Sequence, residues 1–133
     1  MTETAIVRDS GPHSLRVDIA VGGQQFVGDE PVANGGSGLG PAPHDLLSAA
    51  LAECTALTLR LYADRKGWPL EGVEVEVSHE ARADVTPRDL FHRRVKLTGA
   101  LDEAQRARLI EIAERCPVHR TLANGSVIET SAG

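Results

Sequence analysis

Apolar and polar residues alternate at every position from Val73 to Ser78 (Val-Glu-Val-Glu-Val-Ser), the period-two pattern of a half-buried strand. Phe91, Arg93, Val95 and Leu97 repeat it less cleanly, and the polar segment 80–89 joins the two into an antiparallel unit. Nearer the N-terminus, residues 4–8, 14–21 and 24–27 are short β-type runs broken by Ser10-Gly11-Pro12 and Gly22-Gly23. They predict an antiparallel meander. The glycine-rich stretch 34–43 lacks the GK[ST] ending of a phosphate cradle and an acidic residue at dinucleotide spacing, so it is read as a flexible connection.

From Pro43 the period changes to that of a helix. Proline suits a first turn, Asp45 suits the positive end of the helix dipole, and Gly67 can stop the helix. Leu47, Ala50, Cys54, Leu57 and Leu61 recur at three- and four-residue steps and predict the inner stripe. Between Leu46 and Leu61 only Glu53 and Arg60 are charged, so nearly the whole circumference is apolar. Such a helix must be surrounded by protein, and six short strands with one more helix cannot cover it. A second copy of the chain would, which predicts an obligate homodimer.

Asp102 and Gln105 stand at capping-box spacing before a second helix with Leu109, Ile112, Ala113 and Cys116 on its inner face, ended by Pro117. Val118–Ala123 can add a helical turn, and Ser126–Thr130 reads as a closing strand after Asn124-Gly125. The predicted order is βββ-α-ββ-α-β, an α+β layout, in a single domain over residues 1–133.

Composition narrows the partners. Fourteen Lys and Arg against nineteen Asp and Glu give a net charge of −5, which argues against a nucleic-acid surface. Aromatics are 3% of the chain, so Leu, Val, Ile and Ala must fill the core. The N-terminal residues carry no signal-peptide pattern, and the longest apolar run holds charges, so no membrane span and a cytoplasmic location are expected.

Candidate chemistry falls on Cys54 and Cys116. Alone, either is readable as a small buried hydrophobe. No CxxC or HxxxC pairing supports a metal site, and the five histidines fall in unrelated contexts. Cys54 lies about 15 Å into its helix at 1.5 Å per residue, too far for the dipole to act on it strongly. Cys116 precedes Pro117 with Arg115, His119 and Arg120 nearby, a setting that favours a thiolate.

The stretch Gly40–Trp68, GPAPHDLLSAALAECTALTLRLYADRKGW, together with CPVHRTL at Cys116–Leu122, resembles the OsmC/Ohr family. These are the osmotically inducible protein C and organic hydroperoxide resistance proteins, and the wording is closer to the general OsmC-like branch. The resemblance implies an intertwined homodimer with long central helices wrapped by sheets from both chains. It also implies a thiol peroxidase acting on small organic hydroperoxides. Cys54 would attack the O–O bond and become a sulfenic acid, Cys116 would close a disulfide, and a lipoyl-type or small dithiol would reopen it. No cofactor is implied. In characterised reductases an N-terminal Arg and a Glu ten residues before the first cysteine ionise that thiol. Here that position is His44, with Asp45 one residue on and turned by about 100°. Arg16 is the candidate arginine, Arg8 the other choice, and Arg120 adds charge near Cys116. The alternative is a non-enzymatic dimer of the same fold that binds an apolar molecule, its cysteines structural or redox-sensing.

Overall fold

A computed structural model describes residues 3–133. The chain divides into two compact units, the first ending at Leu47 and the second running Ser48–Gly133, a boundary that falls inside the long helix.

In the first unit, β1 (Ile6–Asp9), β2 (Val17–Val21) and β3 (Gln24–Gly28) form the predicted antiparallel meander in sheet order β1-β2-β3. Val7 faces Ile19, and Ile19 faces Phe26 across β2. The segment after β3 is not a flexible connection. Asp29, 4% exposed, accepts hydrogen bonds from the backbone N–H groups of Glu30 (2.8 Å), Ser37 (3.2 Å) and Leu39 (3.2 Å). Burial pushes its carboxyl up, but the Leu39, Glu30 and Ser37 N–H groups outweigh burial and hold it below the usual value. The glycines are there for space: a Cβ on Gly36 would lie 1.9 Å from the Glu30 carbonyl oxygen, and one on Gly40 1.9 Å from that of Val27. A glycine-rich composition thus encodes close backbone approach here rather than freedom.

The long helix α1 spans Pro43–Lys66, as its sequence predicts. It ends in a Schellman arrangement, with Gly67 at φ 68°, its N–H bonded to Asp64 O at 3.2 Å and the Trp68 N–H to Ala63 O at 2.9 Å. The buried row is Leu51, Thr55, Leu59 and Ala63. The predicted inner stripe is instead largely open in a single chain, with Leu47, Leu57 and Leu61 at 41%, 56% and 62% exposure. A helix apolar on all sides carries no preferred direction in its sequence, so packing alone chose the face. By length and composition alone α1 is long and apolar enough to cross a membrane, a test that the core helix of a globular fold also passes. In this structure, however, Leu59 and Ala63 enter the core, and Arg60 donates to the carbonyls of Leu70 (2.6 Å) and Glu71 (3.3 Å).

In the second unit, β4 (Leu70–Ala81) and β5 (Asp89–Gly99) form a long antiparallel hairpin paired from Leu70↔Gly99 to Ala81↔Asp89. The ladder continues beyond the alternating segments because backbone pairing does not require the apolar period to persist. The second helix, α2 (Glu103–Ala113), opens on the predicted capping box between Asp102 and Gln105. Its Leu109, Ile112 and Ala113 join Leu59, Ala63, Leu70 and Leu101 in the core. Pro117 does not end α2 but begins a third helix, α3 (Pro117–Asn124), with Cys116 as its N-cap. The α+β class stands, but the order is βββ-α-ββ-α-α. Ser126–Thr130 forms no strand among the described residues, and Val127 and Ile128 are 90% and 87% exposed. Strand propensity cannot act without an edge to pair with.

Leu59→Ala, at a site with no exposed surface, is expected to cost ~2–5 kcal/mol. Gly36→Ala is expected to cost ~1–3 kcal/mol through the clash with Glu30. Urea-unfolding midpoints of the two variants measure both.

Candidate active site

The backbone N–H groups at the start of a helix have no partners within the helix. In α3 these groups select the site. Pro117 has no N–H, the His119 N–H bonds Cys116 Sγ at 3.2 Å, the Arg120 N–H bonds Cys116 O at 3.2 Å, and the Val118 N–H lies near enough to the Cys54 thiol to draw its pKa down. Two sulfurs therefore lie at one helix N-terminus, close enough that Cys116 acts on the protonation of Cys54. Both cysteines are free; Cys54 is half-buried and Cys116 wholly buried. Cys116 is not on the inner face of α2, as its sequence spacing suggests, but in the break between α2 and α3.

The Cys54 thiol is pushed above its ordinary value, chiefly by burial. The Val118 N–H draws it down, the neighbouring Cys116 sulfur raises it both by hydrogen bonding and by charge, and the Thr58 hydroxyl draws it down again. Donors to sulfur are thus in place at Cys54, but they do not overcome desolvation.

Around Cys116 lies a polar network that spacing did not reveal. Thr55, fully buried on α1, has its hydroxyl 2.7 Å from Leu51 O and 3.8 Å from Cys116 Sγ. Arg93 on β5 donates to Thr55 Oγ1 and to His119 Nδ1, both at 3.0 Å. Because Nδ1 accepts, the imidazole proton belongs on Nε2, which faces Glu114 Oε2 at 3.3 Å. Glu114 also lies 3.6 Å from Arg93. A cleft of about 350 Å³ adjoins this network, with Leu51, Phe91, Arg93, His119 and Leu122 among its walls. Two signals could have found these residues. Arg93 is the one charge in the inward alternation Phe91, Arg93, Val95, Leu97, and Thr55 is the one hydroxyl in the buried row Leu51, Thr55, Leu59, Ala63.

Other residues singled out in the sequence lie elsewhere. His44, Asp45 and Arg16 belong to the first unit, whereas both thiols belong to the second. Asp45 accepts from the Ala42 N–H at 2.9 Å, an N-terminal cap of α1. Arg16 sits just before β2 rather than within it and pairs with Asp18 at 3.2 Å. His44 is an exposed first-turn residue, and Arg120 is exposed on α3.

The fold and these thiols define an α+β protein whose two cysteines lie at a helix N-terminus. The chain belongs to the OsmC-like protein family, whose family model matches residues 35–131. Solved structures of that family share its architecture. An osmotic stress induced and detoxification response protein from Psychrobacter arcticus is 28% identical, with a TM-score of 0.76, over 91% of this chain and 88% of that one. An organic hydroperoxide resistance protein, OsmC, from Legionella pneumophila is 24% identical, with a TM-score of 0.67, over 92% and 89%. Another organic hydroperoxide resistance protein, from Elizabethkingia anophelis, is 18% identical, with a TM-score of 0.68, over 93% and 90%. At these identities the last two establish the fold. Comparison with curated proteins returned no match.

Alkylation by iodoacetamide, read by peptide mass, tests the thiol environment. Cys54 is expected to react slowly at pH 7 and about tenfold faster for each unit of added pH below its raised value, since only thiolate reacts. Cys116 is expected to react only after denaturation.

Proposed function

We propose that this chain is a thiol-dependent peroxidase that reduces organic hydroperoxides to alcohols. The observation that supports the reading is the proximity of Cys54 to Cys116 at the α3 N-terminus, close enough for Cys116 to act on the Cys54 thiol. The half-buried Cys54 is the sulfur open to substrate. Its thiolate attacks the terminal oxygen of R–O–OH, the O–O bond breaks, the alkoxide takes a proton to leave as alcohol, and Cys54 becomes a sulfenic acid. Cys116 as thiolate then attacks the Cys54 sulfur, hydroxide leaves and is protonated to water, and the disulfide forms. A lipoyl-type or small dithiol reopens it by exchange. The scheme requires no metal, haem or flavin.

The raised Cys54 thiol sets the condition for the first step: charge must be supplied, or pH must rise. His44, Asp45, Arg16 and Arg120 are carried forward from the family pattern as the residues to substitute singly. Whichever supplies charge to Cys54 lowers turnover on replacement and moves the pH dependence upward.

The working unit in this proposal is a homodimer of single-domain chains, soluble in the cytoplasm, with the open Leu47, Leu57 and Leu61 stripe of α1 buried against the second copy. Sedimentation showing a stable monomer would overturn that part. The raised Cys54 thiol and the cleft beside Arg93, walled in part by Leu51, Phe91 and Leu122, favour one other reading, a non-catalytic dimer that binds an apolar molecule.

Wild type with dithiothreitol is expected to consume cumene or tert-butyl hydroperoxide, at a rate rising roughly tenfold from pH 7 to pH 8. Cys54→Ser is expected to fall to background. Cys116→Ser should accumulate a dimedone-reactive sulfenic acid at Cys54 without forming the intramolecular disulfide. No consumption by reduced wild type at either pH favours the binding module, and full turnover by Cys54→Ser moves the nucleophile elsewhere.

A further inference from the structure

The oxidised pair has two sulfurs that a dithiol could attack, and their surroundings differ. In a single chain Cys116 has no exposed surface whereas Cys54 is half-buried, so of the two sulfurs Cys54 is the one an external thiolate meets first. The sulfur that leaves must take up the electron pair of the broken bond. Cys116 stands where that charge is met: the His119 N–H points at it from the first turn of α3 at 3.2 Å, and the Thr55 hydroxyl lies 3.8 Å away.

The Thr55 hydroxyl carries a single proton and has two acceptors within reach. Leu51 O at 2.7 Å is the closer and Cys116 Sγ the more distant. Arg93 Nη1 donates into the same oxygen at 3.0 Å from a side chain that is 11% exposed. A cation donating to a hydroxyl makes it a stronger donor in turn. When negative charge appears on Cys116, the proton can swing from Leu51 O to the sulfur while Arg93 keeps its hold on the oxygen. His119 is kept in place by Arg93 on one ring nitrogen and Glu114 on the other, so the backbone N–H that it presents is held as well.

We infer that the reducing thiol attacks Cys54, that Cys116 is the leaving sulfur, and that Thr55 and Arg93 are the positioning residues that stabilise it as it leaves. The inference rests on the reading of Cys54 and Cys116 as a redox pair. In the step, a thiolate of the dithiol bonds to the Cys54 sulfur, the Cys54–Cys116 bond breaks, and the electron pair departs on Cys116, which takes up the proton released by that thiol. The second thiol of the reductant then displaces Cys54 from the mixed disulfide. Cys54 recovers a thiol with that group's proton, and the reductant leaves as its own disulfide.

The test uses the full-length protein oxidised with diamide, so that disulfide formation does not depend on peroxide turnover. Brief reaction with 2-mercaptoethanol, acid quench, alkylation under denaturing conditions and peptide mass locate the mixed disulfide. The adduct is expected on Cys54 with Cys116 alkylated, and this result supports the inference even where hydroperoxide is not consumed. An adduct on Cys116, or no Cys54–Cys116 disulfide after diamide, overturns it. Reduction by dithiothreitol is expected to slow roughly tenfold to a hundredfold in Thr55→Val and to stay within about threefold of wild type in Thr55→Ser. Arg93→Gln is expected to slow it as well. Equal rates in Thr55→Val and wild type overturn the role of Thr55, and the adduct position in wild type remains decisive where Thr55→Val does not fold.

Discussion

The free N–H groups that open α3 are capped by sulfur rather than oxygen, and the site is organised around that substitution. A helix start needs acceptors, and serine, threonine, aspartate or asparagine usually supply one. Here Cys116 occupies the N-cap and serves the His119 N–H, while Cys54 on α1 lies near enough to the Val118 N–H for that group to lower its pKa. One helix start therefore has two cysteines from distant parts of the chain beside it. Pro117 sharpens the arrangement, because it fixes the first turn and contributes no N–H to compete for either sulfur.

The two sulfurs share a helix terminus but not an environment. Cys54 is partly open and holds its proton, since burial outweighs the Val118 and Thr58 donors. Cys116 is closed off and borders the Thr55, Arg93 and His119 network. This asymmetry fits a division of labour in which the outer sulfur meets external reactants and the inner one exchanges only with its neighbour. It also locates the unfinished part of the chemistry: the donors around Cys54 are neutral, and the charge needed to ionise it must come from a residue beyond them.

Much of the architecture is legible in local patterns. The meander, α1 with its Gly67 stop, the β4–β5 hairpin and the Asp102 capping box each rest on interactions within a few residues or on a single repeated period. The failures share a cause. The 34–43 segment reads as flexible because its glycines look permissive, yet their role is to let the backbone pass close to Glu30 and Val27 while Asp29 gathers three N–H groups. Ser126–Thr130 has strand composition but pairs with no strand among the described residues, and Pro117 reads as a stop where it is a start.

By itself the sequence determined the α+β class through periodicity and capping spacing, the family through the motifs at Gly40–Trp68 and Cys116–Leu122, and the two cysteines as candidates for chemistry, because these are local properties of short stretches of chain. Only the tertiary structure decided which face of α1 is buried, since an all-apolar helix encodes no direction. It alone placed Arg93 beside Thr55 and His119, and Cys116 at a helix cap rather than on a helix face. These are long-range choices, made by the need to satisfy buried donors with whatever acceptors the folded chain brings within reach.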